Sequence, residues 1–171
     1  MKFLDDNLIV NGWVHVDING GTKTSDVVSL KNYNHVAIVL DFGNTAASAD
    51  VDIAVYASDD VAMTHTVALN NYTFRKSPAT TSSDSFAAEV VITDSKIDYV
   101  AAGDVVPNTD DNCIVVIEID AVNLKTAGTS YDYDCIYLVF PNPSQACPVG
   151  CKFILSQPRH AADTLPSAII D

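Results

Sequence analysis

Residues 35–60 read HVAIVLDFGNTAASADVDIAVYASDD, and this stretch indicates the fold class. Its apolar residues recur at every second position in two runs, Val36, Ile38, Leu40 and Phe42, then Val51, Ile53 and Val55. A period of two places each run on one face of a β-strand. Residues 43–50 are small or polar and are too many for a tight turn. The stretch therefore predicts two neighbouring antiparallel strands joined by a loop, with the other strands packed against this pair.

Strand patterning continues along most of the chain. Further strands are predicted at residues 8–18, 23–30, 65–74, 86–93, 97–106, 113–120, 135–140 and 152–157. The richest of these places Cys113, Val115, Ile117 and Ile119 on one face. Residues 121–127 could form one or two turns of helix that end at Gly128. Turn-forming segments such as the NGG of residues 19–21 separate the strands.

This spacing predicts an all-β protein. About nine or ten short strands separated by turns are typical of a β-sandwich or barrel. We predict one antiparallel β-sandwich domain over residues 1–157 and an extended C-terminal tail over residues 158–171. A two-sheet jelly roll suits the length of the chain better than an immunoglobulin-like sandwich does.

The charge balance bears on the class of partner. The chain has 171 residues, with 9 Lys and Arg against 22 Asp and Glu, for a formal net charge of −13. Binding to nucleic acid or to an anionic membrane needs clustered cations, so we expect neither as a partner. No apolar run approaches the roughly 18 residues that span a bilayer. The N-terminal MKFLDDNLIV lacks the long apolar core of a signal peptide, so we expect synthesis in a cytosol.

The four cysteines leave three alternatives open. Cys113 and Cys135 lie in apolar strand patterns, where cysteine behaves as a small buried hydrophobe. Cys147 and Cys151 form a C-x₃-C pair at a predicted turn. A disulfide or a four-cysteine metal site is conceivable there. Reduced thiols are the expectation for a cytosolic compartment.

No catalytic motif occurs in the chain. The G-x-S-x-G, H-E-x-x-H and glycine-rich phosphate-binding patterns are all missing, and the aspartate clusters lack the spacing of an EF-hand. The histidines are scattered, at His15, His35, His65 and His160. We therefore predict no catalytic residue, no cofactor and no metal site. Trp13, Tyr131 and Tyr133 could still line a sugar-binding platform.

The C-terminal tail carries the most specific motif. Residues 155–171 read LSQPRHAADTLPSAIID. From Arg159 onward this resembles the R-[YH]-A-x-D-x-x-P-[ST]-A-I ending of small virion proteins of tailed bacteriophages, which follows a β-rich body. The body is similar as well, at residues 19–22 (NGGT), 115–120 (VVIEID) and 123–125 (NLK).

The resemblance implies a structural protein that is not an enzyme. Small jelly-roll proteins of this kind act as head decoration or cement proteins, which bind the outer surface of the shell formed by the major capsid protein and bridge its capsomers. The implied location is the capsid surface of the virion, after synthesis in the host cytoplasm. The implied partners are the major capsid protein and further copies of the chain, as a dimer or trimer.

The tail is too apolar to extend freely into solvent. We expect it to form an inter-subunit contact through Arg159, Leu165, Pro166, Ile169 and Ile170. The alternative is a tail that folds back on its own sheet. For the whole protein, the alternatives to a decoration role are a tail or head-fibre component and a carbohydrate-binding β-sandwich module.

Overall fold

The protein is an all-β sandwich with two short helices among its described residues. A computed structural model describes residues 3–43, 52–77, 86–93, 96–97, 113–143, 145–159 and 167–169. Its elements in chain order are α1 (Phe3–Asp6), β1 (Asn7–Asp17), β2 (Lys23–Thr24), β3 (Val28–Ser29), β4 (Tyr33–Phe42), β5 (Ile53–Ser58), β6 (Thr66–Ala68), β7 (Tyr72–Lys76), β8 (Val90–Ile92), β9 (Lys96–Ile97), β10 (Ile114–Asp120), α2 (Ala121–Thr126), β11 (Cys135–Phe140) and β12 (Pro148–Pro158).

The strands form two antiparallel sheets. The first sheet has the order β1-β12-β4-β10-β7-β8. The second sheet has the order β2-β11-β5-β6, with β3 also paired to β11 and β9 also paired to β5. Along the chain, β1, β4, β10 and β12 of the first sheet alternate with β2, β5 and β11 of the second. This alternation is the jelly-roll arrangement, so the predicted fold class is confirmed.

The prediction that residues 35–60 contain two neighbouring paired strands is wrong. β4 pairs with β12 and β10 in the first sheet, whereas β5 pairs with β11, β6 and β9 in the second. Both strands turn their apolar residues towards the same core, one from each side. A period of two therefore does not distinguish two strands paired in a hairpin from two strands whose connection crosses between the sheets.

Some predicted strands have other bounds than expected. The pairing of β1 with β12 shifts register between Asn11 and Trp13 and again between Trp13 and Val16, which interrupts the regular strand predicted at residues 8–18. β12 begins at Pro148, four residues before the predicted start at residue 152. Residues 23–30 form two strands of two residues each instead of one. The predicted strand at 97–106 lies outside the described residues beyond Ile97.

Other elements match the prediction closely. β10 begins one residue later than expected, and β11 has the predicted bounds. The helical turns expected after β10 are present as α2. Within the described residues, no helix is long and apolar enough to cross a bilayer.

The core fills the space between the two sheets. The inward residues of β4 and β10 are almost completely buried, and the largest buried side chains include Tyr33, Phe42, Phe140 and Phe153. A smaller cluster lies on the outer side of the second sheet, where Val27 and Val61 pack over Tyr137. The second sheet is thus partly covered on both sides.

Candidate interaction surface

The outer face of the first sheet is unusually apolar. The pairing places Ala37 between Glu118 and Ile154, and Val39 between Val116 and Lys152. Ile154 in turn pairs with Ile9 at the edge of the sheet. A solvent-facing side of an antiparallel sheet ordinarily carries polar residues. We define the apolar face as the outward residues of this patch, Ile9, Ala37, Val39, Val116 and Ile154.

The apolar face is open to solvent in part. Ile9 is 45% exposed, and the other four side chains are half-buried. At its β7 side a groove of about 370 Å³ is lined by Phe86 and by Val116, so the groove and the apolar face are continuous. Val91, which pairs with Thr73 at that edge, is 61% exposed. Adjoining apolar residues on one open face mark an interaction site more often than isolated exposed residues do.

Charges of both signs surround the apolar face. Lys152 pairs with Val39 and Arg75 with Val116, while Glu118 pairs with Ala37 and Asp41 with Ile114. Arg75 also lies 3.3 Å from the Glu89 carboxylate, so two cations stand beside three anions in a chain whose net charge is −13. A partner approaching this face meets less of the negative field that the molecule as a whole presents.

Only part of the predicted tail contact lies in the described residues. Arg159 follows β12, where its backbone N–H donates to the Asn32 carbonyl at 2.9 Å and its Nε donates to the Tyr33 carbonyl at 3.3 Å. Ile169 is 53% exposed. Leu165, Pro166 and Ile170 lie outside the described residues. The inter-subunit contact of these five residues stays a prediction.

Ala168 shows how the end of the tail is held. Its side chain is 1% exposed within the core, and its carbonyl accepts a hydrogen bond from the Ser29 N–H at 2.7 Å. This part of the tail therefore packs on β3 of its own chain. Ala168 was not among the predicted contact residues. Its small apolar side chain, followed by two isoleucines, could have indicated that the tail is buried at this residue.

The aromatic residues do not form one platform. Tyr131 stacks on the His65 ring at a centroid distance of 3.7 Å, and Tyr133 is buried. Trp13 lies at the other end of β11, edge-on to Phe140 at 5.2 Å. A six-residue strand spans about 17 Å, which separates the two groups. Trp13, Tyr131 and Tyr133 therefore do not line one platform, which the sugar-binding alternative required.

His65 and its neighbours form a local structural unit. The His65 ring is hydrogen-bonded to Asp59 at 2.6 Å, and this bond holds the pKa of the Asp59 carboxyl below its ordinary value. Asp60 accepts hydrogen bonds from the Thr64 backbone N–H and hydroxyl, which lowers the pKa of Asp60 as well. These contacts close the turn between β5 and β6 and leave the carboxylates occupied.

A polar cleft lies beside α2. This cleft has a volume of about 500 Å³ and is lined by Asp120, Lys125 and Arg159. At its edge, His35 Nδ1 is 3.0 Å from Asp120 Oδ1. The Asp120 side chain is 65% exposed, so this is a solvated pair of small energetic weight. Among the described residues, no group of three or more His, Cys, Asp or Glu side chains is placed to hold a metal ion.

The four cysteines are buried. Burial raises the pKa of both Cys147 and Cys151 to about 12, so both thiols are protonated at neutral pH. The predicted turn at the C-x₃-C pair is wrong, since Cys151 lies inside β12. The backbone after Cys147 is extended. The positions of the two cysteine side chains are therefore set by the pairing of β12 with β1 and β4, and not by a turn.

Comparison with known proteins shows a similarity at the level of the fold. No family model matches this sequence, and no curated protein is significantly similar to it. The fold is similar to the crystal structure of the SPBc2 prophage-derived protein YomS, with a TM-score of 0.45 and 10% sequence identity. The alignment covers 89% of this chain and 94% of that one. Values this low do not establish a shared function.

The apolar face was missed in the sequence, although a signal for it exists. β4 contains VAIVL and β10 contains IVVI, so apolar residues occupy the outward positions as well as the inward ones. Near-continuous apolar runs are typical of strands that are covered on both sides. The prediction considered only the alternate residues that face the core, and not the apolar residues between them.

Proposed function

We propose that this chain is a structural protein of a tailed-phage virion that attaches to the outer surface of the capsid shell through the apolar face. The proposed role is not catalytic. The observation that carries the attachment is the apolar face itself: five outward apolar residues in register on one open side of the sandwich. Burying such a patch against a partner is favourable at roughly 25 cal/mol for each Å² of apolar surface.

The identity of the partner comes from the C-terminal motif. Residues 159–169 resemble the ending of small phage virion proteins, and decoration proteins of this kind bind the major capsid protein. The strongly acidic character elsewhere supports a position on the outside of a particle, because a negative surface has no attraction for packaged DNA. The apolar face, which has charges of both signs around it, is less acidic than the chain as a whole.

Addition to undecorated shells tests the proposal. The purified protein should bind the shells and raise their resistance to heat, and quantitative mass spectrometry should give a simple ratio of copies to the major capsid protein. Val39→Glu places a charge in the centre of the apolar face, and binding should fall about tenfold or more, or ~1.4 kcal/mol. The matched control is Met63→Glu, at a 39% exposed residue in the turn after β5, and it should bind like the unchanged protein.

Each outcome has a meaning. A handful of copies in each virion would assign the protein to the tail, portal or fibres instead of the shell. Absence from purified virions would reject a virion role altogether. Equal loss of binding in both variants would show that charge in general, and not the apolar face, controls attachment.

A further inference from the structure

The first sheet ends in a strand that is paired on one side. Residues 7–11 of β1 run in unbroken register with β12, from the Asn7–Ser156 pair to the Asn11–Lys152 pair. The irregular pairing begins after Asn11, and the Gly12 carbonyl accepts a hydrogen bond from the Asp26 N–H at 3.1 Å. In the described part of the chain, β1 is the last strand of its sheet. The regular edge is therefore the five-residue segment Asn-Leu-Ile-Val-Asn.

Residues 7–11 lack one common protection of an edge strand, which is charged side chains. Exposed edge strands are commonly guarded by charged residues, which oppose pairing with another chain. Residues 7–16 contain no Asp, Glu, Lys or Arg, in a chain with 31 such residues. Two copies of an acidic protein repel each other, and an uncharged edge is the place where they can approach most closely. Charge thus favours a second copy of the same chain over a basic partner at this edge.

The segment is also symmetric in polarity. Asn7 and Asn11 flank Leu8 and Val10, with Ile9 in the centre. In an antiparallel pair of identical segments centred on Ile9, each Asn meets an Asn, Leu8 meets Val10, and Ile9 meets its own copy. Every cross-strand pair then joins residues of like polarity. Such side-chain pairs are the contacts that stabilise neighbouring strands.

We propose that two copies of this chain associate through residues 7–11 of β1, antiparallel about a two-fold axis at Ile9. The two six-stranded first sheets then form one continuous sheet, and Ile9 of each copy extends the apolar face towards the other. Such an interface is isologous, as in most homodimers. The pairing does not depend on the virion role, and its failure would leave the apolar face unaffected.

Sedimentation velocity over a range of concentrations tests the association. The unchanged protein should show a concentration-dependent dimer, and hydrogen exchange in peptides covering β1 should slow as the dimer forms. Ile9→Lys should weaken the association at least about tenfold, because two like charges would face each other at the axis. Val122→Lys, at a 62% exposed residue of α2, is the control and should dimerise normally. A monomer at all concentrations, or a dimer that Ile9→Lys leaves unchanged, would overturn the proposal.

Single cysteines test the register. Directly opposed residues have Cβ atoms about 4.5–5.5 Å apart, so Ile9→Cys should form an intermolecular disulfide on mild oxidation. Asn11→Cys alone should not, whereas a mixture of Asn7→Cys and Asn11→Cys should give the crosslinked heterodimer. The native thiols are buried and give little background. Crosslinking of Asn11→Cys to itself in preference to Ile9→Cys would contradict the proposed axis.

Discussion

Gly12 is where the chain has least room for a side chain. A Cβ at this position would lie 2.7 Å from Cys151 Sγ and 2.7 Å from Phe153 Cε2. Both neighbours are completely buried, so neither can turn away into solvent. The glycine lets β1 pass close over β12 at the point where the register shifts. A single missing side chain thus permits the irregularity that ends the regular edge of β1.

We expect Gly12→Ala to destabilise the protein. Overpacking of this kind costs about 1–3 kcal/mol, and for a chain of this size each kcal/mol lowers Tm by about 2–4 °C. Thermal unfolding followed by circular dichroism measures the change. The control is Gly150→Ala, where the nearest atom to a Cβ is His15 Cδ2 at 3.5 Å, an ordinary contact. Equal Tm values for the two variants would contradict the packing argument.

At the scale of elements, the tail and β3 depend on each other. β3 is only two residues long, and it pairs with β11 on one side. On its other side the Ser29 N–H donates to the Ala168 carbonyl. The tail thus satisfies a backbone donor that would otherwise need water, and Ala168 adds its methyl group to the core.

We expect Ala168→Asp to release this part of the tail. A carboxylate that enters the core unpaired costs several kcal/mol, and exposure of the tail avoids that cost. Limited proteolysis should then cut the C-terminus faster, and Tm should fall. Ile169→Asp changes the adjacent exposed residue and should have little effect on either readout. Slow cleavage of Ala168→Asp would indicate that the tail is held by other residues.

The elements also differ in how far local patterns predict them. β10, α2 and β11 have their predicted positions within about a residue, since each is a strong pattern bounded by turn-forming residues. β1 does not, because its bulges arise from contact with β12 about 140 residues away in the chain. The same holds for the apolar face, whose residues come from four strands.

At the scale of the whole molecule, the reactivity of the four thiols indicates whether the sandwich is folded. All four cysteines have essentially no exposed surface, and they lie on β11, β12 and the residues that precede β10 and β12. Cys113, Cys147 and Cys151 lie in the core between the sheets and cannot meet a reagent unless strands separate, whereas Cys135 lies in the small cluster on the outer side of the second sheet. Because β10, β11 and β12 are held in the two sheets of one core, that separation amounts to unfolding.

We expect a thiol reagent such as Ellman's to label none of the four cysteines in the native protein at pH 8. Labelling in urea should follow the same transition as the circular dichroism signal, as two-state unfolding requires. Val122→Cys provides an exposed thiol that should react at once. Fast reaction of a native cysteine in the unchanged protein would show that its strand opens on its own.

The pH dependence has a definite sign. The folded protein raises the pKa of Cys147 and Cys151 from 9.0 to about 12, so folding favours the protonated thiols. Their contribution to stability is complete below pH 9 and is lost as the pH rises from there towards 12. Urea midpoints that fall over this interval, with replacement of both cysteines by alanine reducing the fall, would agree with this assignment.

The period-two pattern was sufficient to identify an all-β sandwich and the buried side of β4 and β10. Backbone geometry alone sends alternate side chains to opposite faces, so β4 and β10 carry that information locally. Pairing is different, because every strand offers the same backbone donors and acceptors to any neighbour. Only the folded chain reveals that β4 and β5 lie in opposite sheets, that Ala168 anchors the tail on β3, and that five distant apolar residues meet on one open face.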